Sequence, residues 1–402
     1  MSKQVISTER ISKNQIVKRK AMKTKREQYF DYNLLLIIVF LVSFGLVMLY
    51  SASAYSARAD FDNDMFYFSK QALISLISIG GMLVISCIDY RLYARFAYKM
   101  FVLSIILMAL VLTPLGVEAY GARRWLPLPK GMTFQPSEFT KIAVIIFIAY
   151  ELCRLGKRVY TREGTVRIFA FGAVAASGVL FMTDNLSTAV IVMGITCVMY
   201  FVVHPKTKPF IALITAAATI IGAALMIFVA SMKSSTDFRM RRIITWLDPE
   251  NHADTGGFQV LQGLYAIGSG GFWGKGLGNS TQKLGTIPEV QNDMILTVVC
   301  EELGVFGALV ILILFGMLLY RLMFIAQNAS DLFGSLIAIG IFAHISLQVI
   351  LNIAVVTNMI PTTGITLPFI SYGGTSIVFL MAEMGIALGI SRRIKLLDEA
   401  EY

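Results

Sequence analysis

Unbroken apolar runs of about 20 residues recur along this 402-residue chain, and that length matches the hydrocarbon core of a bilayer. Few folds are open to such a chain. Backbone inside hydrocarbon must satisfy its own polar groups, so only helices and closed barrels can span. The ten-residue alternating segments of an outer-membrane barrel are absent. Composition agrees: 56% of residues are hydrophobic and 15% charged, against about 45–50% and ~25% in soluble domains. A soluble enzyme and a disordered chain are excluded. The expected fold is an all-α integral membrane protein.

Ten spans are read, over residues 33–53, 69–88, 100–115, 137–153, 167–183, 187–203, 210–231, 294–320, 333–356 and 373–391. Residues 1–32 carry nine Lys and Arg, and no short apolar segment with a small-residue cleavage site follows. The expectation is a basic cytoplasmic tail that could touch anionic lipid, then an uncleaved first span. Residues 33–395 form one polytopic domain and 396–402 a second cytoplasmic tail. With the N-terminus inside, 23 of the 35 Lys and Arg fall on the cytoplasmic side, which places both termini there. Loops 116–136, 232–293 and 357–370 then share the outer face. The net charge of +10 is accordingly a topology signal, and no nucleic-acid partner is expected.

Cys87, Cys153, Cys197 and Cys300 are far apart in sequence and read as small core residues. His204, His252 and His344 are isolated, which argues against a His-based metal centre. Asp60, Asp62 and Asp64 alternate, but Met65 and Gln71 stand where a calcium loop needs Gly and Glu. They read as solvated acids.

Chemistry concentrates in the three outer loops. Loop 232–293 is long for an ordered connection, and such loops usually have a function. Its stretch 238–247 mixes cations with apolar residues and reads as an interfacial helix, with Trp246 at headgroup depth. The Gly-rich run from Gly268 to Gly278 fails as a phosphate loop, since Ser269 and Gly276 occupy the wrong positions. It reads as a close-packed turn, or as exposed amides that hold phosphate together with Lys275.

Gln135-Pro136-Ser137-Glu138 runs straight into an apolar span, with Pro136 fitting the helix start. Glu138 and Lys141 then lie one helical step apart, as a structural pair or as a pair facing substrate. Arg124 is the better anion ligand, because a guanidinium clamps phosphate oxygens bidentately. Pro288 suits the first position of another helix, which would stack Glu289 and Asp293 on one face. Asp293 then stands where water meets lipid. It reads as a tuned base, a divalent-cation ligand (Mg2+ or Mn2+), or an acid that merely complements the helix dipole. Glu301 and Glu302 lie deeper, with Gln348, Asn352 and Glu383 as candidate interior partners. The segment 357–376 holds two prolines and three glycines, which forbid a regular helix. It should re-enter and wall a pocket.

Leu367-Pro368-Phe369-Ile370-Ser371-Tyr372-Gly373-Gly374-Thr375-Ser376 resembles the signature of the FtsW/RodA/SpoVE family of shape, elongation, division and sporulation proteins. So do Arg124-Trp125, Gln135-Pro136-Ser137-Glu138, the glycine run with Lys275, Pro288-Glu289 with Asp293, and Glu301-Glu302-Leu303-Gly304. These motifs stand in the family's order over about residues 33–395, and most resemble its division-type members. Asn292 and Met294 depart from the Thr and Phe that often flank the aspartate.

The resemblance implies a peptidoglycan glycosyltransferase of the bacterial cytoplasmic membrane, at the division septum. It would polymerise lipid II in the outer leaflet with a class B penicillin-binding protein and other divisome membrane proteins as partners. It assigns Asp293 as the catalytic residue. Arg124, Gln135, Glu138, Lys141, Lys275, Glu289 and Ser371 are the residues assigned to substrate. A polyprenyl diphosphate is already a good leaving group, so one carboxylate base suffices. The alternatives are a transporter that flips lipid-linked precursor, an elongation-type polymerase, and a scaffold that recruits the transpeptidase.

Overall fold

The structure is a computed structural model that describes residues 29–119, 122–129, 132–206, 238–252, 257–284 and 290–394. Helices α1 (Tyr32–Phe61), α2 (Phe66–Cys87) and α3 (Arg91–Val111) come first. A small meander of β1 (Val117–Ala119), β2 (Ala122–Leu128) and β3 (Met132–Phe134) follows. Then come α4 (Pro136–Leu155), α5 (Arg162–Met182), α6 (Leu186–Val203), the short α7 (Phe238–Leu247) and α8 (Gly257–Gly270). The long α9 (Ile295–Asn328), α10 (Leu332–Val356) and α11 (Gly374–Ser391) complete the described chain.

Eight of these helices are long and apolar enough to cross a membrane: α1, α2, α3, α5, α6, α9, α10 and α11. The protein is therefore a helical, multi-pass membrane protein. Helix α4 coincides with the expected fourth span but carries Glu138, Lys141, Glu151 and Arg154. Nearly every residue from Pro136 to Ala149 is buried, as befits a helix enclosed by others rather than facing lipid. It packs against α3, α5, α6 and α10. The run 210–231, read as a span, lies outside the described residues, as do most of the N-terminal tail and residues 395–402.

Close helix contact follows from small residues. Helices α2 and α11 pack along their length, and a Cβ at Gly385 would stand 2.7 Å from the Met82 carbonyl oxygen. Such small positions let backbones approach where no hydrophobic effect drives association. The four cysteines are free; Cys153 and Cys300 are half-buried and pack against the core as expected, Cys197 is half-buried, and Cys87 is exposed.

Ion pairs close the end of the bundle away from the three informative loops. Arg321 bonds Asp31 at 2.8 Å and also Tyr29, while the Asp31 amide donates to Ser391. Arg91 bonds Asp331 at 2.8 Å. The segment before α1 is thereby tied to α9 and α11.

Helix α9 is broken two turns in. Gly304 adopts φ 67° and ψ −163°, a conformation essentially open only to glycine. The helical bonds lost there are replaced from the Gly-rich run. Val305 N donates to Gly271 O, and Phe306 N to Phe272 O; Lys275 N donates to Glu301 O, and Gly276 N to Glu302 O, all at 2.9–3.1 Å. A Cβ at Gly274 would meet the Glu302 carbonyl oxygen at 2.2 Å. The glycine run is therefore spliced into a helix break, and it confirms the close-packed reading.

Candidate active site

Residues 357–373 contain no helix or strand, as the prolines and glycines require. The carbonyl groups of this segment are instead met by side chains from three helices. Trp246 and Arg242 of α7 donate to Asn358 O (3.0 Å) and Thr362 O (3.1 Å). Ser187 of α6 donates to Thr363 O at 3.1 Å. Asn352 and Gln348, one turn apart on α10, donate to Ile365 O (2.7 Å) and Thr366 O (3.0 Å). Each carbonyl gains a partner that a regular helix would have supplied, so an irregular backbone is tolerable here. Trp246 thus serves the protein rather than headgroups alone.

Asp293 stands beside this segment. A Cβ at Gly364 would lie 3.9 Å from Asp293 Oδ2. The half-buried Arg242 is its electrostatic neighbour: burial pulls this guanidinium below its ordinary value, and the Asp293 charge pushes it back up. Sequence reasoning missed Arg242 as a site residue, because only the tertiary fold brings α7 to this loop.

The local backbone corrects one expectation. Asp293 is not one turn into a helix that begins at Pro288. The described helix begins at Ile295, and residues 290–294 form turns. The cause is competition for carbonyl groups. Thr297 N donates to Met294 O, Asn352 donates to Asp293 O at 2.9 Å, and Tyr372 N donates to Gln291 O at 2.9 Å. These bonds pull the segment off the helical path. Glu289 and Pro288 lie outside the described residues.

Glu138 and Lys141 form the expected pair, at 2.9 Å, but both are buried beneath the loop. Ser376 donates to Glu138 at 3.0 Å. Lys141 donates to Gln348 Oε1 at 3.2 Å, and that oxygen lies 2.8 Å from His344 Nε2. His344 Nδ1 lies 2.7 Å from Glu383. The result is a continuous polar chain through the bundle, from Ser376 to Glu383. It underlies the loop and contacts it through Gln348. Ser371 is also structural in its bonding: its hydroxyl accepts from Leu367 N at 2.8 Å and closes a buried turn. Gln135 is half-buried in extended backbone just before α4.

Arg124, on β2, donates to the Asp184 carbonyl at 2.8 Å. It thereby braces the turn between α5 and α6, three residues before Ser187. Arg124 reaches the loop through this turn.

Lys275 does not belong to this cluster. Its ammonium bonds Glu301 at 2.6 Å and its amide bonds the Glu301 carbonyl. Glu301 also accepts from Ser280 and Thr281. Glu302 accepts from Ser51 at 2.7 Å and pairs with Lys283 at 2.6 Å. Neither acid meets Gln348, Asn352 or Glu383. Two acids inside the membrane zone demand two cations, and Lys275 and Lys283 supply them; Arg321 stands nearer in the chain than Lys275, so proximity in sequence does not pick out these partners. Asp60, Asp62 and Asp64 are exposed, as expected.

Among the described residues no group of three or more His, Cys, Asp or Glu comes together. The cluster that remains is a carboxylate beside a guanidinium, pinned from below by two carboxamides, on the face that also carries Arg124.

Comparison with known proteins decides the family. The family model described as cell cycle protein, for FtsW, RodA and SpoVE, matches residues 32–396. The chain belongs to the FtsW/RodA/SpoVE family. The probable peptidoglycan glycosyltransferase FtsW of Trichlorobacter lovleyi is 38% identical over 91% of this chain and 94% of its own. Stage V sporulation protein E of Bacillus subtilis is 38% identical over 90% of this chain and 97% of its own. Among solved structures, a chain of a peptidoglycan synthase complex that coordinates polymerization and crosslinking superposes with TM-score 0.74. It is 26% identical and covers 90% of this chain and 98% of its own. The rod shape determining protein RodA of Thermus thermophilus gives TM-score 0.63 at 25% identity, covering 92% and 98%.

Proposed function

We propose that this FtsW/RodA/SpoVE-family chain is a peptidoglycan glycosyltransferase that polymerises lipid II on the outer face of the cytoplasmic membrane at the division septum. Ten spans with both termini cytoplasmic would put the Asp293 loop on that outer face. The observation that carries the reading is Asp293 itself: an acid beside a built, non-helical loop at the end of a span, with a cation as neighbour.

Asp293 takes the proton from the acceptor sugar hydroxyl as its oxygen attacks the anomeric carbon of the donor. The bond to the polyprenyl diphosphate breaks as the new glycosidic bond forms. An α-linked donor attacked directly is inverted, and no covalent enzyme intermediate is needed. Arg124 takes up charge on the departing diphosphate. A Mg2+ or Mn2+ ion would find in Asp293 one carboxylate ligand among the described residues. Such an ion would neutralise the leaving group. Partnership with a class B penicillin-binding protein and other divisome membrane proteins accords with the similarity to a chain of a synthase complex.

The purified protein with its transpeptidase, given labelled lipid II, should build glycan. Arg124→Lys should weaken this polymerisation by about tenfold or more, since a point charge cannot reproduce the bidentate fork. Unchanged activity would reduce Arg124 to a brace for the Asp184 turn. Depletion in the native cell should give filaments; rounded cells would move the role to elongation.

The polar chain from Ser376 to Glu383 favours a second reading, transport of the lipid-linked precursor. Polar groups within spans often mark substrate paths. Here they are bonded to one another and buried, so the polymerase reading stands first.

A further inference from the structure

Asn352 is fully buried on α10. Its side-chain amide carries two hydrogens, and two carbonyl oxygens lie within bonding distance: Asp293 O at 2.9 Å and Ile365 O at 2.7 Å. One joins Asp293, two residues before α9, and the other joins the loop against which the Asp293 carboxylate rests. In a regular helix the Asp293 carbonyl would accept from Thr297 N, but that amide serves Met294 instead. Gln348, one turn earlier on the same helix, ties Thr366 O and is itself held by Lys141. The support therefore rests on α10 and α4, which are among the most enclosed helices.

We propose that Asn352 is a positioning residue for glycosyl transfer: it fixes Asp293 to the Ile365–Thr366 segment and so sets the aim of the carboxylate. This rests on Asp293 being the base. The physical case is one of geometry. A free carbonyl at 293 would be met by the Thr297 amide, which would wind one more residue into α9. That would turn the Asp293 side chain about the helix axis, by about 100° per residue added. A base must lie within about 3 Å of the proton it removes, and a displacement of about 1 Å can cost about 10²-fold. No other residue type of this volume supplies two hydrogens from one nitrogen at this reach. A leucine supplies none, and a serine has one hydroxyl hydrogen on a shorter arm.

The test is steady-state and single-turnover polymerisation of labelled lipid II by the purified complex, with thermal stability read in parallel. Asn352→Leu should lower kcat by about 10²-fold while KM stays within about twofold. Asn352→Ser, which keeps one hydrogen and fills less space, should lower kcat by about tenfold with the same unchanged KM. The serine variant decides the matter should the leucine variant not accumulate. A merely structural asparagine would lower the melting temperature and leave the activity of the folded protein at the wild-type level; that result overturns the inference. So does a rise in KM at constant kcat. If Asp293→Asn remains active in the same assay, the assignment of the base fails instead, and the two failures are told apart.

Discussion

Asp293→Asn should leave a protein that inserts, keeps its melting temperature and still binds its transpeptidase, yet makes almost no glycan. The substitution keeps the size and the backbone of the side chain's anchor. The Asn352 bond goes to the Asp293 carbonyl, so it survives the change. What disappears is the ability to accept a proton. Loss of a general base typically costs about 10²–10⁴-fold, and more if the same carboxylate also holds a cation. Stability should fall little, because the residue is half-exposed. One electrostatic effect runs the other way: Arg242 loses a neighbouring negative charge while remaining half-buried and bonded to Thr362 O, which costs about 1 kcal/mol or less at such a site. The rate of polymerisation by variant and wild type, normalised to folded protein, checks the prediction. Near-normal polymer from the asparagine variant would remove Asp293 as the base.

The second large effect concerns stability. Lys283 is buried, and its ammonium lies 2.6 Å from Glu302 and 2.9 Å from Ser51. Glu302 is fully buried, and Ser51 lies on α1. The triad thus joins three parts of the chain: α1, the broken α9 and the segment after the glycine run. Lys283→Met keeps the aliphatic stem but leaves the Glu302 carboxylate without its cation. Breaking a buried pair by removing one partner costs about 3–5 kcal/mol, because the other charge stays buried and uncompensated. A melting temperature several degrees lower in detergent is expected. The double variant Lys283→Met with Glu302→Gln should recover most of the loss, since no bare charge remains. If the double variant is no more stable than the single one, the penalty lies in packing and not in the orphaned carboxylate.

The spans were legible because a bilayer imposes its thickness on the sequence, and α1, α2, α5, α6, α10 and α11 lie where the apolar runs do. The Glu138–Lys141 pair was legible because three residues make nearly one helical turn. The irregular segment 357–373 was legible because proline and glycine forbid the alternative. What was not legible depends on contacts between distant parts of the chain. The start of α9 shifted to Ile295 because a carboxamide on α10 holds the Asp293 carbonyl. The bond between Lys275 and Glu301, 26 residues away, has no local sequence signal. The β1–β3 meander escaped notice because its strands are short, at three, seven and three residues, and carry little periodic signal. Arg242 was visible only as one cation in an interfacial helix. Its place beside Asp293 is a property of the fold.

Polymerase and transporter differ in one observable, and a single preparation can report both. Wild-type protein with its transpeptidase is placed in proteoliposomes containing labelled lipid II. Glycan length and movement of label between leaflets are then followed in the same vesicles. The polymerase account predicts lengthening strands from lipid II supplied on the face that carries Asp293, and their loss in Asp293→Asn. Label that crosses the bilayer while no glycan lengthens would contradict it.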